Sequence, residues 1–148
     1  MNNSNIAHRP EPVPFRDEHG RNCLRVPLDR HGRNHAVVAA ADYERVQRSG
    51  ARGSWLLNEC GGGRRYVRVS APRRRGGLSL LMPARIIVGA GPKSVVRYVN
   101  GNPLDLRPEN LSWHRGWAKR CDEEAAARGL ERPEERGGGD VAAEEVAR

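Results

Sequence analysis

Arginine is the residue of this chain best placed to do chemistry. Of 26 basic residues among 148, only Lys93 and Lys119 are lysine. A guanidinium presents a planar fork of donors that grips phosphate or carboxylate oxygens in pairs. Arg64, Arg65 and Arg68 fall within one short segment, and Arg73-Arg74-Arg75 follows it closely. With Arg97 and Arg107 further on, these positions are the predicted contacts to a polyanion backbone. The charge is also uneven. Residues 1–121 hold 22 basic and 9 acidic residues, whereas residues 122–148 hold 4 basic and 9 acidic. A basic body ahead of an acidic tail implies a nucleic-acid-binding surface, with the tail offered to a protein partner or to the basic body itself.

Other chemistries are poorly represented. Cys23, Cys60 and Cys121 are far apart and form no C-x-x-C pair, so a zinc finger is not expected. Gly61-Gly62-Gly63 lacks the Lys-Ser/Thr ending of a phosphate loop and reads as a hairpin connection. The mean hydropathy is −0.76. No apolar run approaches the length that spans a bilayer, and the polar start after Met1 does not resemble a secretion signal. The expectation is a soluble, cytoplasmic protein with no membrane partner.

The elements that must position these arginines follow from alternation and punctuation. Residues 1–21, with Pro10, Pro12 and Pro14, read as a flexible N-terminal arm. Leu24–Leu28 and His35–Ala39 alternate as two strands around a turn at Gly32, with Pro27 placing the first at an edge or a strand end. A short helix follows, with Asp42 near its start and Gly50 at its stop. Ser54–Asn58 and Arg64–Ser70 are strands; in the second, Arg65, Val67 and Val69 share one face and Tyr66 and Arg68 the other. Leu78–Leu81 is a further strand, and Pro83 suits the first turn of a helix reaching Val88. Val95–Val99 is a strand ending in the loop Asn100-Gly101-Asn102-Pro103, and Arg107–Trp113 is expected as a short helix or turn. Leu111 and Trp113 are assigned to the core; Trp55, Trp113 and Trp117 could stack on bases, but burial, whole or partial, is the expectation for each. In the acidic tail, 119–148, Asp122–Leu130 has helical composition, but Gly137-Gly138-Gly139 interrupts the segment and the tail is expected to be mobile. The fold class is α+β, with one domain over residues 22–118 between flexible termini.

The stretch Val95–Trp113 resembles the core of the HNH endonucleases of phage and mobile elements, a family that writes V-D-H-I-N-G-D and, a few residues on, N-R-x-E-N-L-R-W. Val96, Asn100, Gly101, Arg107, Pro108, Glu109, Asn110, Leu111 and Trp113 carry the match. Leu80–Gly89 resembles the family's L-H-R-L-I segment, and Val26–Glu44 its small β-domain entry, so the likeness covers residues 24–114. It implies a small β-sheet region followed by a ββα-metal unit. In such a unit a histidine activates water and one divalent metal, Mg²⁺, stabilises charge developing on the scissile phosphate. It also implies a loop braced by Asn100, Gly101 and Asp105, with Arg107 pairing to Asp105 or reaching a phosphate.

The departures decide what the resemblance implies for function. The family's Asp-His pair falls on Arg97-Tyr98, which puts a cation where a metal-binding carboxylate belongs. It also replaces the general base by a phenol with an ordinary pKa near 10. Tyr98, Asn110 and His114 are the positions left to catalysis, and Asn110 and His114 the positions left to a metal, should the chain be active. The main expectation is a DNA-binding protein with a catalytically degenerate HNH-like fold, no resident cofactor and duplex DNA as partner. Two alternatives stand beside it. One is a divergent active endonuclease using His114, His31 or His35. The other is a protein-interaction or inhibitor module on a nuclease-like fold.

Overall fold

The computed structural model describes residues 9–117 and 121–130, and the architecture is α+β. Asn22–Pro27 (β2) and His35–Ala39 (β3) pair antiparallel, Val26 opposite Ala36 and Cys23 opposite Ala39. Between them Asp29 accepts the backbone N–H groups of His31, Arg33 and Asn34. Gly32 turns at φ 66°, which favours glycine. Pro27 closes its strand, where no ladder hydrogen bond is lost. The strand is nevertheless central, because Val13–Arg16 (β1) pairs along its other side, Phe15 opposite Cys23. The segment expected as an irregular arm therefore enters the sheet from residue 13. Its prolines fall where a two-sided ladder is not required, since β1 is the edge.

Ala40–Ser49 (α1) runs directly out of β3 and buries Val46. Gly50 ends it in the left-handed conformation, φ 114°, donating its N–H to Gln47. Trp55–Cys60 (β4), Arg64–Pro72 (β5) and Leu78–Leu81 (β6) form a three-stranded antiparallel meander. Val67 and Val69 are buried, as the alternation along β5 requires. Pro83–Val88 (α2) has its proline in the first turn and Gly89 as a left-handed stop.

Ser94–Tyr98 (β7) pairs with Leu111–Arg115 (β8), Tyr98 opposite Leu111 and Val96 opposite Trp113. The helix or turn expected over Arg107–Trp113 is thus a 3-10 turn at Pro108–Asn110 followed by a strand. Pro108 starts a helical turn, but Leu111 is buried and the next four residues are exposed, so nothing offers the second apolar contact that would continue a helix. Asp122–Arg128 (α3), expected in the acidic tail, packs against α1, α2 and β6 and buries Asp122 and Ala126. The rest of the tail lies outside the described residues. One core joins these parts, built on Val26, Leu28, Val38, Val46, Trp55, Val67, Val69, Leu81, Ile86, Leu106 and Leu111. Among the described residues no helix is long and apolar enough to cross a membrane.

Candidate nucleic-acid interface

The loop from β7 to β8 is held by side chains reaching its own backbone. Buried Asn110 accepts the Asn100 N–H at 2.7 Å through Oδ1 and donates through Nδ2 to the carbonyls of Asp105 (2.8 Å) and Asn102 (3.4 Å). Asn100 donates through Nδ2 to Asp105 Oδ2 at 3.1 Å and accepts the Asn102 N–H at 2.8 Å. Gly101 turns at φ 76°. The brace expected from Asn100, Gly101 and Asp105 is therefore present, and Asn110, a candidate catalytic and metal position, is a structural member of it. The loop is also stitched to the first sheet: Val37 donates to the Leu104 carbonyl and accepts the Leu106 N–H, both at 2.8 Å.

Arg107 belongs to this brace and not to a phosphate surface. Its guanidinium meets Asp105 at 2.8 Å, Glu18 at 2.8 Å, Asp17 at 3.4 Å and Glu109 at 3.8 Å. Its side chain is only 17% exposed. With four carboxylates around it, the expected phosphate contact is replaced by an ion-pair hub; hydrogen bonding to Asp105 leads the forces that raise its pKa. Burial pushes Asp105 upward, but hydrogen bonds from the Arg107 side chain and backbone outweigh it and leave the carboxyl below its ordinary range. Asp17 behaves alike: burial raises it, and hydrogen bonds from the Arg21 backbone and guanidinium and the His19 N–H pull it well below. Arg21 bridges Asp17 and Glu109. Asp17 and Glu18 lie in the β1–β2 turn, inside the segment read as an arm. The turn signature Asp17-Glu18-His19-Gly20 is the one sequence cue to them.

The basic side chains converge instead where the start of β5 faces β7. A cleft of about 590 Å³ is lined by Arg64, Arg65, Tyr66, Arg97, Tyr98 and the glycines and proline of the adjoining loops. Arg64, Arg65 and Arg97 are exposed. Arg65 reaches Glu59 at 3.6 Å, an exposed and weakly held pair. Among the described residues no carboxylate pairs with Arg64 or Arg97. Arg97 donates to His114 Nε2 at 2.7 Å, and His114 Nδ1 sits 2.8 Å from the Arg115 carbonyl. Arg68 is half-buried and reaches the Leu80 carbonyl at 3.5 Å, so it is less accessible than Arg64 and Arg65.

Tyr98 does not suit a general base. Its hydroxyl is buried with no hydrogen-bond partner among the described residues. Burial, reinforced by neighbouring Tyr66 and partly offset by Arg68, pushes the phenol up to about 12. A divalent cation does not fit these positions. Arg97 brings a positive charge, the Asn110 amide is committed to the loop, and both His114 ring nitrogens already face protein groups. Among the described residues no group of three or more His, Cys, Asp or Glu side chains is arranged to hold a metal.

One further set of candidates lies away from the cleft, and the burial expected of Trp113 and Trp117 is not found. The Arg73–Arg75 loop lies at the far end of β5, so the length of that nine-residue strand, about 25 Å, separates it from the cleft. Trp55 is buried at 3% exposure, but Trp113 and Trp117 are exposed at 58% and 94%. Trp113 lies opposite Val96 in the central pair of the hairpin; Val96 packs against the core, but the indole across from it stays exposed. No family model, no curated protein and no solved structure matches this chain.

Proposed function

We propose that the chain binds nucleic acid through backbone phosphates and does not cleave it. The observation that carries this reading is the cleft between β5 and β7, where Arg64, Arg65 and Arg97 converge with little internal neutralisation. The carboxylates nearest the rest of the hairpin are spent on Arg21 and Arg107. What remains outward is a concentrated positive field, the electrostatic footprint of phosphate recognition. The resemblance of Val95–Trp113 to an HNH core supports a nuclease-derived scaffold. Arg97 at the place of a metal-binding carboxylate and the high phenol pKa of Tyr98 support a scaffold retained for binding.

Fluorescence anisotropy with a labelled oligonucleotide tests the reading. The affinity should fall linearly with the logarithm of salt between about 50 and about 200 mM. Arg97→Ala should weaken binding to any sequence and shrink the salt slope by about 1. Supercoiled plasmid incubated with Mg²⁺ or Mn²⁺ should stay intact. Salt-insensitive binding, or metal-dependent cleavage lost in His114→Ala, would overturn the proposal.

A further inference from the structure

We infer that the stretch from the middle of β8 to Trp117 is a stacking platform for single-stranded nucleic acid, with Trp113 and Trp117 holding unstacked bases and Lys93 and Arg115 holding the phosphates beside them. The inference rests on the nucleic-acid reading and names the strand form that reading leaves open.

Three observations carry it. First, both indoles stand in solvent, 58% and 94% exposed, whereas Trp55 is packed in the core. Second, the cations are placed beside them. The hairpin register puts Arg115 opposite Ser94 and Trp113 opposite Val96, so Trp113 and Arg115 project from one face. Lys93, Arg115, Gly116 and Trp117 line a second cleft, of about 500 Å³. Among the described residues no carboxylate pairs with Lys93 or Arg115. Third, the backbone there is built to a close tolerance. Lys93 is the one non-glycine residue with positive φ among those described, at 62°, and its carbonyl accepts the Gly116 N–H at 2.8 Å. A Cβ on Gly116 would lie 2.0 Å from Val95 Cγ2, so the absence of a side chain lets the chain pass Val95 undisturbed and bring Trp117 alongside Lys93.

The chemistry favours a single strand. Bases in a duplex are stacked on each other and offer no free face, whereas an unpaired base can lie on an indole whatever its identity. Aromatic platforms flanked by cations are the means by which such strands are held without sequence preference. An interleaved Trp-x-Arg-x-Trp run, Trp113 to Trp117, supplies both components in five residues.

The test compares an unstructured oligodeoxythymidine with a blunt duplex of equal length, by anisotropy and by quenching of tryptophan emission. The wild-type chain should prefer the single strand about tenfold, with emission quenched on binding. Trp113→Ala and Trp117→Ala should each weaken single-strand binding at least about fivefold, the lower end of the range set by loss of one stacked base. Both should leave duplex binding within about twofold and the melting temperature unchanged, since neither indole is in the core. Trp113→Phe should retain most of the affinity. Equal binding of both forms, with the tryptophan variants unaffected while Arg97→Ala still weakens binding, would overturn the platform and leave the phosphate reading standing. Failure to bind either form overturns both. Unaltered single-strand affinity together with a self-association lost in Trp117→Ala would assign the indoles to protein contact instead.

Discussion

Arg107 ties the β7–β8 loop to the β1–β2 turn, its guanidinium set among Asp105, Glu18, Asp17 and Glu109. The spacing Asp105-Leu106-Arg107 makes a local ion pair legible in the sequence, and the pair forms. Asp17, which completes the hub, sits 90 positions away in a turn that carries no hydrophobic pattern. No local argument reaches across that distance, so an arginine satisfied on all sides looked free to meet a phosphate. The hub makes a measurable demand on stability. Arg107→Met takes the cation from buried Asp105 and is expected to cost about 2–3 kcal/mol in chemical denaturation, near the lower bound for breaking a buried pair. Its pH signature has a definite sign. Asp17, Glu18 and Asp105 all have folded-state values below their ordinary ones. Their contribution is full above the unfolded values near 4 and is lost as pH falls through the lower folded values. Denaturation midpoints should therefore decline on acidification below about pH 4, and more shallowly in Arg107→Met, which has less of this contribution to lose. A wild-type midpoint unchanged from pH 5 to pH 2 would contradict the hub.

At the scale of elements, alternation was the dependable signal. β2, β3 and β5 follow from period-two patterns, β7 from a run of β-favouring residues, and both α1 and α2 end at glycines that adopt positive φ. The sequence hides two elements, and the docking of a third, for separate reasons. β1 is four residues long and contains Pro14, so only its partner reveals it. β8 follows Pro108-Glu109-Asn110, a helix-starting composition, and one turn of 3-10 geometry consumes that signal before the strand begins. α3 has acidic, alanine-rich composition that reads equally as a solvated tail. The hairpin's exposed end depends on the close passage of Gly116 past Val95. Gly116→Ala is expected to cost about 1–3 kcal/mol through overpacking, since the added methyl needs space that Val95 Cγ2 occupies. Val95→Ala in the same chain should recover much of that loss, because it removes the atom in the way. The double-mutant cycle should then return a coupling above about 0.5 kcal/mol. Strict additivity would mean that the two residues do not meet.

The described residues of the molecule form three small sheets, of three, three and two strands, and the two-stranded one is at best marginal by itself. What unites them is a shared core and a few buried polar ties, and the most consequential tie comes from the acidic segment. Asp122 is 2% exposed and Arg85 5%. The carboxylate accepts the Met82 N–H at 2.6 Å through Oδ2 and meets Arg85 Nε at 3.3 Å through Oδ1. Arg85 in turn donates to the carbonyls of Ser94 (2.6 Å) and Gly91 (2.9 Å). One guanidinium thus joins α2, the entry to β7 and α3, and the charge balance of the sequence, basic body against acidic tail, is partly cancelled inside the fold. Asp122→Ala removes a carboxylate from a buried guanidinium and is expected to cost about 3–5 kcal/mol. The loss should appear as one cooperative transition at lower denaturant, because α3 closes the same core that every sheet shares. Glu124→Ala, on the same helix, deletes an exposed pair with Arg128. It should change stability by no more than about 0.5 kcal/mol. Equal effects from the two substitutions would show that α3 is appended to the domain and not part of it.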